Sequence, residues 1–415
     1  MTGRRRLERR APSPAAPRSP RGSRSRPAGE EPRGQSRSRA PAPGTLDLSV
    51  TIGPLRLRNP VLTASGTFGY GDEYAHVMDV AALGGVITKT VTLAPRAGNP
   101  PGRIAETPSG MLNSIGLENV GLARFVSEKL PRLRALKATV VASIGGETPR
   151  ELEELLETLG AEPGIAGFEI NFSCPNVAAG GARYWAVPRR LERTLARLRT
   201  LTRRALIAKL SPDVTSIGDL ARACEQGGAD AVTAANTFVG MAVDLFAMRS
   251  RLGRATGGLS GPAIKPLALA RCHECARAVR IPVLGSGGIM TARDALEYVA
   301  VGATAVQVGT ANFIRPDAAL RIVEGMRAFL AERGVRSIAR WRGALLEAPD
   351  AQDGARAQRR STQVVARPRP RRRSVQVAAP PRPGRRSAAG VPSSRARRRG
   401  AQVAASSRPR RRSAR

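Results

Sequence analysis

The sequence predicts an α/β fold, a (β/α)8 TIM barrel with disordered Arg-rich N- and C-terminal tails. Three observations carry that prediction. Eight short β-like segments lie between residues 60 and 313. Helical apolar periodicity fills several of the gaps between them. The strong positive charge is concentrated at the two ends, which leaves a middle long enough to bury a full core.

The charge sets the domain boundaries. The chain has 415 residues, with 68 Lys+Arg against 32 Asp+Glu and a formal charge of +36. Residues 1–44 hold 12 Arg and 3 Glu, a net +9, and residues 351–415 hold 20 Arg and one Asp, a net +19. Residues 45–350 are left with only +8. This distribution excludes a chain that binds nucleic acid throughout, and it excludes a chain that is globular throughout. The expected organisation is a tail over 1–44, a barrel over 45–345 and a second tail over 346–415.

The strands are expected at Val61–Gly66, Gly85–Thr92, Thr139–Gly146, Gly167–Asn176, Ala205–Pro212, Ala231–Phe238, Pro282–Gly288 and Ala305–Phe313. Most are continuous apolar runs, as strands buried on both faces should be. Thr148–Leu159 carries its apolar residues on one helical face, and Pro149 suits a first helical turn. Leu191–Arg203, Ser216–Gly227, Pro266–Val279 and Thr291–Val301 read likewise.

The strand ends carry the chemistry. In order they present Ser65, Lys89, Ser143, Asn171 with Cys174, Lys209, Asn236 with Thr237, Gly287-Gly288 and Gly309-Thr310. The C-terminal ends of barrel strands are where such folds build active sites. Core packing alone does not account for eight consecutive strands that end in polar or glycine residues. Gly287-Gly288 and Gly309-Thr310 end strands seven and eight, where glycine lets the backbone approach a phosphate. A plainer reading is two glycine turns that close the barrel. The pair together points to a phosphate-bearing cofactor.

The tails are almost wholly Arg, Pro, Ser, Ala and Gly and contain no Lys. Such composition cannot offset the entropy of ordering, so disorder is expected. Ser361, Ser374, Ser387, Gly400 and Ser413 recur every 13 residues, each after a basic cluster. No recurring apolar face exists for stacked repeats to bury. One reading is a polybasic arm that binds polyanions without sequence preference, though no aromatics are interleaved to stack on bases. The other is translated repetitive DNA. Nucleic acid is expected to bind only non-specifically through these tails, if at all.

Four cysteines, at 174, 224, 272 and 275, form no disulfide framework and suit a reduced, cytoplasmic compartment. No apolar run reaches the ~20 residues of a membrane span, so no membrane is expected. Cys272-His273-Glu274-Cys275 offers half a zinc site at best, with His76 the only other histidine. No metal is expected there, and Cys224 reads as an ordinary core residue.

At Asn171-Phe172-Ser173-Cys174-Pro175-Asn176 the sequence resembles the Asn-x-Ser-Cys-Pro-Asn segment of class 1 dihydroorotate dehydrogenases, FMN-dependent barrels of pyrimidine synthesis. Further matching segments run in order: Asn59-Pro60, Ala64-Ser65-Gly66, Lys89-Thr90, Gly98-Asn99-Pro100, and Gly110-Met111-Leu112-Asn113-Ser114-Ile115-Gly116-Leu117. Lys209-Leu210-Ser211-Pro212, Asn236-Thr237, Thr256-Gly257-Gly258-Leu259-Ser260-Gly261-Pro262 and Val308-Gly309-Thr310-Ala311-Asn312-Phe313 follow. The resemblance covers roughly residues 47–340. The forms around Asn113 and Gly258 look like the B type, the catalytic subunit of an NAD-linked enzyme.

The resemblance implies oxidation of dihydroorotate to orotate, with hydride passing to FMN, one per subunit. Cys174 would be the general base; a free thiol, pKa ~8.5, needs help from its surroundings for that role. Asn113, Asn171, Asn236 and Thr237 would clamp the pyrimidine, because an amide offers donor and acceptor together. Ser114, Ile115, Gly116 and Leu117 would join them. Lys89 would face the substrate carboxylate and the flavin. Lys209 would stabilise negative charge on reduced flavin, since a buried lysine without an anionic partner is costly. The cofactor set implied is Ser65, Lys89, Thr90, Ser143, Asn171, Lys209, Ala235, Gly261, Gly287, Gly288, Gly309 and Thr310. FAD and an iron–sulfur cluster would belong only to a partner subunit, in a heterotetramer built on a homodimer core. Fumarate-using A-type enzymes and other pyrimidine-reducing flavoproteins are the alternatives among enzymes. A polyanion-binding protein acting through its tails is the alternative outside them. Two departures stand out: many B-type members carry Asn at Ser143, and the family usually has Phe-Gly where Tyr184-Trp185 stands.

Overall fold

The computed structural model describes residues 46–173 and 184–345. The two tails therefore lie outside the described residues, and so does Cys174. All eight predicted strands are present, each shorter than its apolar run. They are β1 Val61–Thr63, β2 Val86–Ile87, β3 Val140–Ile144, β4 Gly167–Asn171, β5 Ala205–Lys209, β6 Ala231–Ala234, β7 Val283–Ser286 and β8 Ala305–Val308. From β2 onward each pairs in parallel with the next, and β8 returns to β1. A parallel bridge between Leu62 and Gly85 joins β1 to the residue before β2 and closes the barrel. The last predicted strand ends early. Asn312 and Phe313 belong to a short helix, α7 (Ala311–Ile314), which Thr310 starts.

The helices begin where local chemistry starts them. α1 is Leu130–Ala135 and α2 is Pro149–Ala161. Thr148 caps α2 by accepting from the Glu151 N–H, and Leu152, Leu155, Leu156 and Leu159 form its buried stripe. α3 (Pro188–Leu201), α4 (Ile217–Gln226), α5 (Lys265–Ala278) and α6 (Ala292–Ala300) follow the predicted segments within a few residues. Thr291 and Asp294 form a reciprocal capping box at the start of α6. α8 (Ala318–Glu332), not predicted, packs beside α6.

Strand alternation sorts the barrel's side chains. Phe168 and Ile170 of β4, Leu206 and Ala208 of β5, and Val306 and Val308 of β8 face the helices in the main core. Leu62, Ile87, Val141, Ile207, Ala231, Leu284 and Ala305 point inward and meet Ile52, Leu55 and Leu57. Those three come from an antiparallel hairpin, Val50–Ile52 with Leu55–Leu57, whose apolar residues close that end of the barrel interior. After the last helix, Gly343 and Leu345 donate backbone hydrogen bonds to Val299 and Ala300 of α6.

A second, four-stranded antiparallel sheet was not predicted. Its order is Phe238–Gly240, Gly257–Ser260, Gly110–Asn113 and Ile104–Thr107. It pairs Asn113 with Gly258, 145 positions apart. The nearby hairpin Val243–Asp244 with Arg249–Ser250 leaves Leu245, Phe246 and Met248 exposed.

Candidate active site

One cavity of about 390 Å³ opens at the C-terminal ends of the barrel strands. That lies within the roughly 300–1,000 Å³ of ligand sites. Ser65 follows β1, Lys89 and Thr90 follow β2, Asn171 ends β4 and Lys209 ends β5, and all line it. Asn236 and Thr237 follow β6, Gly287 and Gly288 follow β7, and Gly309 and Thr310 follow β8; these complete the barrel's share. The antiparallel sheet and the loop after it add Asn113, Ile115, Gly116 and Leu117. The structure thus brings together residues spread over 245 positions, from Ser65 to Thr310.

Four of the sequence-predicted residues do not reach the cavity wall. Ser143 is fully buried behind Thr90, with the two hydroxyl oxygens 3.0 Å apart. It therefore supports Thr90 and does not itself reach the cavity. Ser114 is buried in the loop behind the wall, where Asn99 Nδ2 donates to its carbonyl and its hydroxyl. Ala235 and Gly261 are also absent from the wall. Cys174 lies outside the described residues, one position beyond the buried Ser173.

A hydrogen-bonded ribbon ties the amides together. Asn171 Nδ2 donates to Thr90 Oγ1 at 3.3 Å, and Thr90 also meets Ser65 Oγ at 3.2 Å. Ser173 Oγ donates to Asn171 Oδ1 at 2.8 Å, and Asn236 Nδ2 donates to Ser173 Oγ at 2.6 Å. The Thr237 N–H donates to Asn236 Oδ1. Asn113 Nδ2 donates to the Gly258 carbonyl across the antiparallel sheet. These bonds fix the amide planes, so their remaining donors and acceptors are pre-set toward a flat polar ligand.

Two cations stand in the wall. Burial pushes the Lys89 ammonium below the ordinary lysine range; Glu118 opposes that shift, and Arg103 adds to it. Lys209 is 4 % exposed and has an anionic partner that the sequence reading did not foresee: Glu169, at 3.5 Å. The strand pattern held the signal, because Glu169 stands two residues before Asn171 and so on the same face of β4. Ser286, Glu118 and Met290 also line the cavity and were not anticipated.

The two glycine turns differ in what they are for. A side chain on Gly288, at φ +65°, would meet the Lys265 backbone at 2.8 Å, where the 3-10 turn Pro262–Ile264 runs into α5. Gly309 has only ordinary contacts, Ala64 at 3.5 Å and Thr67 at 3.7 Å, both residues of the cavity wall. Packing therefore demands Gly288, whereas Gly309 leaves room beside the cavity that a methyl group would take. Asp294 secures the turn after Gly288 by accepting from the N–H groups of Met290 and Thr291 and from Lys265.

Away from the cavity, Cys272 and Cys275 are buried on α5. Burial pushes the Cys275 thiol up to about 12 and raises those of Cys272 and Cys224 as well. They pack as apolar residues and not as thiolates. Trp185 is buried against Phe172, ring centres 4.9 Å apart, and edge-on to Tyr184. The departure at Tyr184-Trp185 thus packs onto the residue that follows β4. Among the described residues no helix is long and apolar enough to cross a membrane.

Comparison with known proteins gives a consistent result. The family model for dihydroorotate dehydrogenase matches residues 47–330. A Trichlorobacter lovleyi protein named dihydroorotate dehydrogenase B (NAD(+)), catalytic subunit, is 53 % identical over 298 residues, 72 % of this chain and 98 % of that one. A Geotalea uraniireducens protein of the same name is 51 % identical, over 73 % of this chain and 99 % of that one. The crystal structure of DHODH from Eimeria tenella, in complex with ferulenol, superposes with a TM-score of 0.60 at 23 % identity, over 72 % of this chain and 88 % of that one. That last likeness bears on the fold alone.

Proposed function

The chain belongs to the dihydroorotate dehydrogenase family, an oxidoreductase family, and we propose that it oxidises dihydroorotate to orotate in pyrimidine biosynthesis as the catalytic subunit of an NAD-linked enzyme. One observation carries the reading: Lys89, Asn113, Asn171, Asn236 and Thr237 converge on a single cavity that also contains Lys209 and Gly309.

Enzymes of this family use FMN, and the cavity fits it. Two lysines suit a group that carries a phosphate and gains negative charge, and Gly309 leaves space against the wall. When bound, FMN accepts the hydride removed from the substrate. Ser65, Thr90, Asn171 and Lys209 would hold its ring, and the turns at Gly287-Gly288 and Gly309-Thr310 would hold its phosphate. The chain's other residues handle the substrate. Asn113, Asn236 and Thr237 orient the ring's amide edges, and Lys89 meets the carboxylate. Cys174 takes the proton from the carbon next to the hydride donor; its placement after Ser173, which bonds Asn171 and Asn236, supports that role.

We also propose that electrons leave through a partner carrying FAD and an iron–sulfur cluster, on a homodimeric core in the cytoplasm. The relatives' name, catalytic subunit, supports a partner. The exposed Leu245, Phe246 and Met248 offer an apolar surface for subunit contact. Residues 45–345 would suffice for activity, since every wall residue lies within them.

Purified protein should be yellow and should be bleached anaerobically by dihydroorotate. Colourless protein that cannot be reconstituted with FMN would defeat the reading. Acceptor assays with fumarate, and with NAD plus the partner, separate the subtypes. Cys174→Ser should keep the flavin but lose about a hundredfold or more in stopped-flow flavin reduction, the scale of a removed general base. A rate near wild type would move the base elsewhere.

A further inference from the structure

The barrel interior contains a polar layer between its apolar plug and the cavity. Glu169 of β4, Thr233 of β6 and Gln307 of β8 are at most 1 % exposed. None of the three lines the cavity. Glu169 Oε2 accepts from Thr233 Oγ1 at 3.0 Å and from Gln307 Nε2 at 2.5 Å. Gln307 Nε2 also donates to Thr233 Oγ1, and Gln307 Oε1 accepts from Lys209 Nζ at 3.0 Å. Glu169 Oε1 accepts no hydrogen bond; its partner is the Lys209 ammonium at 3.5 Å, an ion-pair contact too long for a hydrogen bond. Of the four residues, only Lys209 reaches the cavity.

Stability does not explain this arrangement. A buried ion pair is rarely better than apolar residues of the same volume, and barrel cores are ordinarily filled with branched aliphatics. The layer lies directly behind the one residue that joins it to the cavity, and it is wired to that residue through both its charge and its hydrogen bonds.

We propose that Glu169 is a positioning residue that sets the charge Lys209 presents to the bound cofactor. The inference rests on the FMN reading of the cavity. Gln307 tethers the ammonium, and the Glu169 carboxylate offsets part of its field. Charge gained by the cofactor on reduction is then met by a cation already half neutralised. The two ions depend on each other. Glu169 acts on the cofactor only through Lys209, the one member of the layer that reaches the cavity.

The test measures the affinities of oxidised and reduced FMN, or equivalently the bound flavin's midpoint potential, in the full-length protein. Glu169→Gln keeps the side chain's shape and removes its charge. It should shift the affinity ratio toward the reduced form by about tenfold, which for a two-electron couple is about 30 mV upward. Lys209→Met should move the ratio the other way. Adding Glu169→Gln to Lys209→Met should change nothing further, which a purely packing role for Glu169 would not produce. An unchanged ratio in Glu169→Gln, or the same shift with and without Lys209, would overturn the proposal. If Glu169→Gln fails to retain flavin, Glu169→Asp withdraws the carboxylate by one methylene. It should then shift the ratio in the same direction, by about threefold; no shift there overturns the proposal too. Wild-type protein that binds no FMN would instead defeat the flavin reading itself.

Discussion

Gly288 and Gly309 sit at adjacent strand ends and line the same cavity, yet alanine at each should fail differently. At Gly288 the backbone has φ +65°. Holding an L-residue there costs about 1–2 kcal/mol. The new Cβ would also stand 2.6 Å from Lys265 Cβ and 2.8 Å from its Cα and N. Lys265 is the first residue of α5, so its backbone cannot retreat alone. Overpacking of this kind adds about 1–3 kcal/mol. The total, roughly 2–5 kcal/mol, should lower the melting temperature by about 4–10 °C in a domain of this size. Gly309→Ala places its Cβ 3.5 Å from Ala64, an ordinary contact. Its stability should stay within about 1 kcal/mol of wild type, because alanine also restricts the unfolded chain. Its methyl takes space at the cavity wall, so FMN affinity should fall about tenfold, or ~1.4 kcal/mol. Urea unfolding of the apoproteins and fluorescence titration with FMN read both quantities. The reasoning fails if Gly288→Ala is as stable as wild type, or if Gly309→Ala loses as much stability as Gly288→Ala.

Three further outcomes are expected. Burial lowers the Lys89 ammonium's pKa, so its charge is lost as pH rises through a range below the usual lysine value. Orotate affinity should weaken over that range, and Lys89→Met, weaker at every pH, should flatten the profile; an unflattened profile would assign the titration to another group. Burial tends to raise the Asp294 carboxyl, but hydrogen bonds from Lys265, Met290 and Thr291 outweigh it and hold the carboxyl below the ordinary aspartate range. Its contribution is therefore present above the unfolded pKa and lost as pH falls through the lower folded value. Asp294→Ala should cost about 1–2 kcal/mol at pH 7 in chemical denaturation, and the gap to wild type should close in acid. Trp185→Ala should cost about 3–5 kcal/mol, because the ring is buried against Phe172; a loss under ~1 kcal/mol would show that Phe172 repacks without it.

The barrel and most of the residues around its cavity are legible in the chain's local pattern. Runs such as Ala205–Ala208 are buried from end to end, and an uninterrupted apolar run reports that directly. Caps such as Thr148 and Thr291 are equally local. Strand alternation puts Glu169 on the face of Asn171 within one strand, a signal present in the chain but not foreseen. The antiparallel sheet was not legible, because its strands are three or four residues long, rich in glycine and only half-buried. They become strands only by pairing with each other across the chain. Height within the barrel was not legible either. Ser143 and Thr90 both look like strand-end hydroxyls, but β3 and β2 are staggered so that one stands behind the other. Closure likewise decided that Gln307 meets Glu169, 138 positions away, and that both stand behind Lys209. Local pattern reports which way a side chain points; which side chain it meets there depends on how eight strands tilt and stagger against one another, and that is fixed only when the last strand pairs with the first.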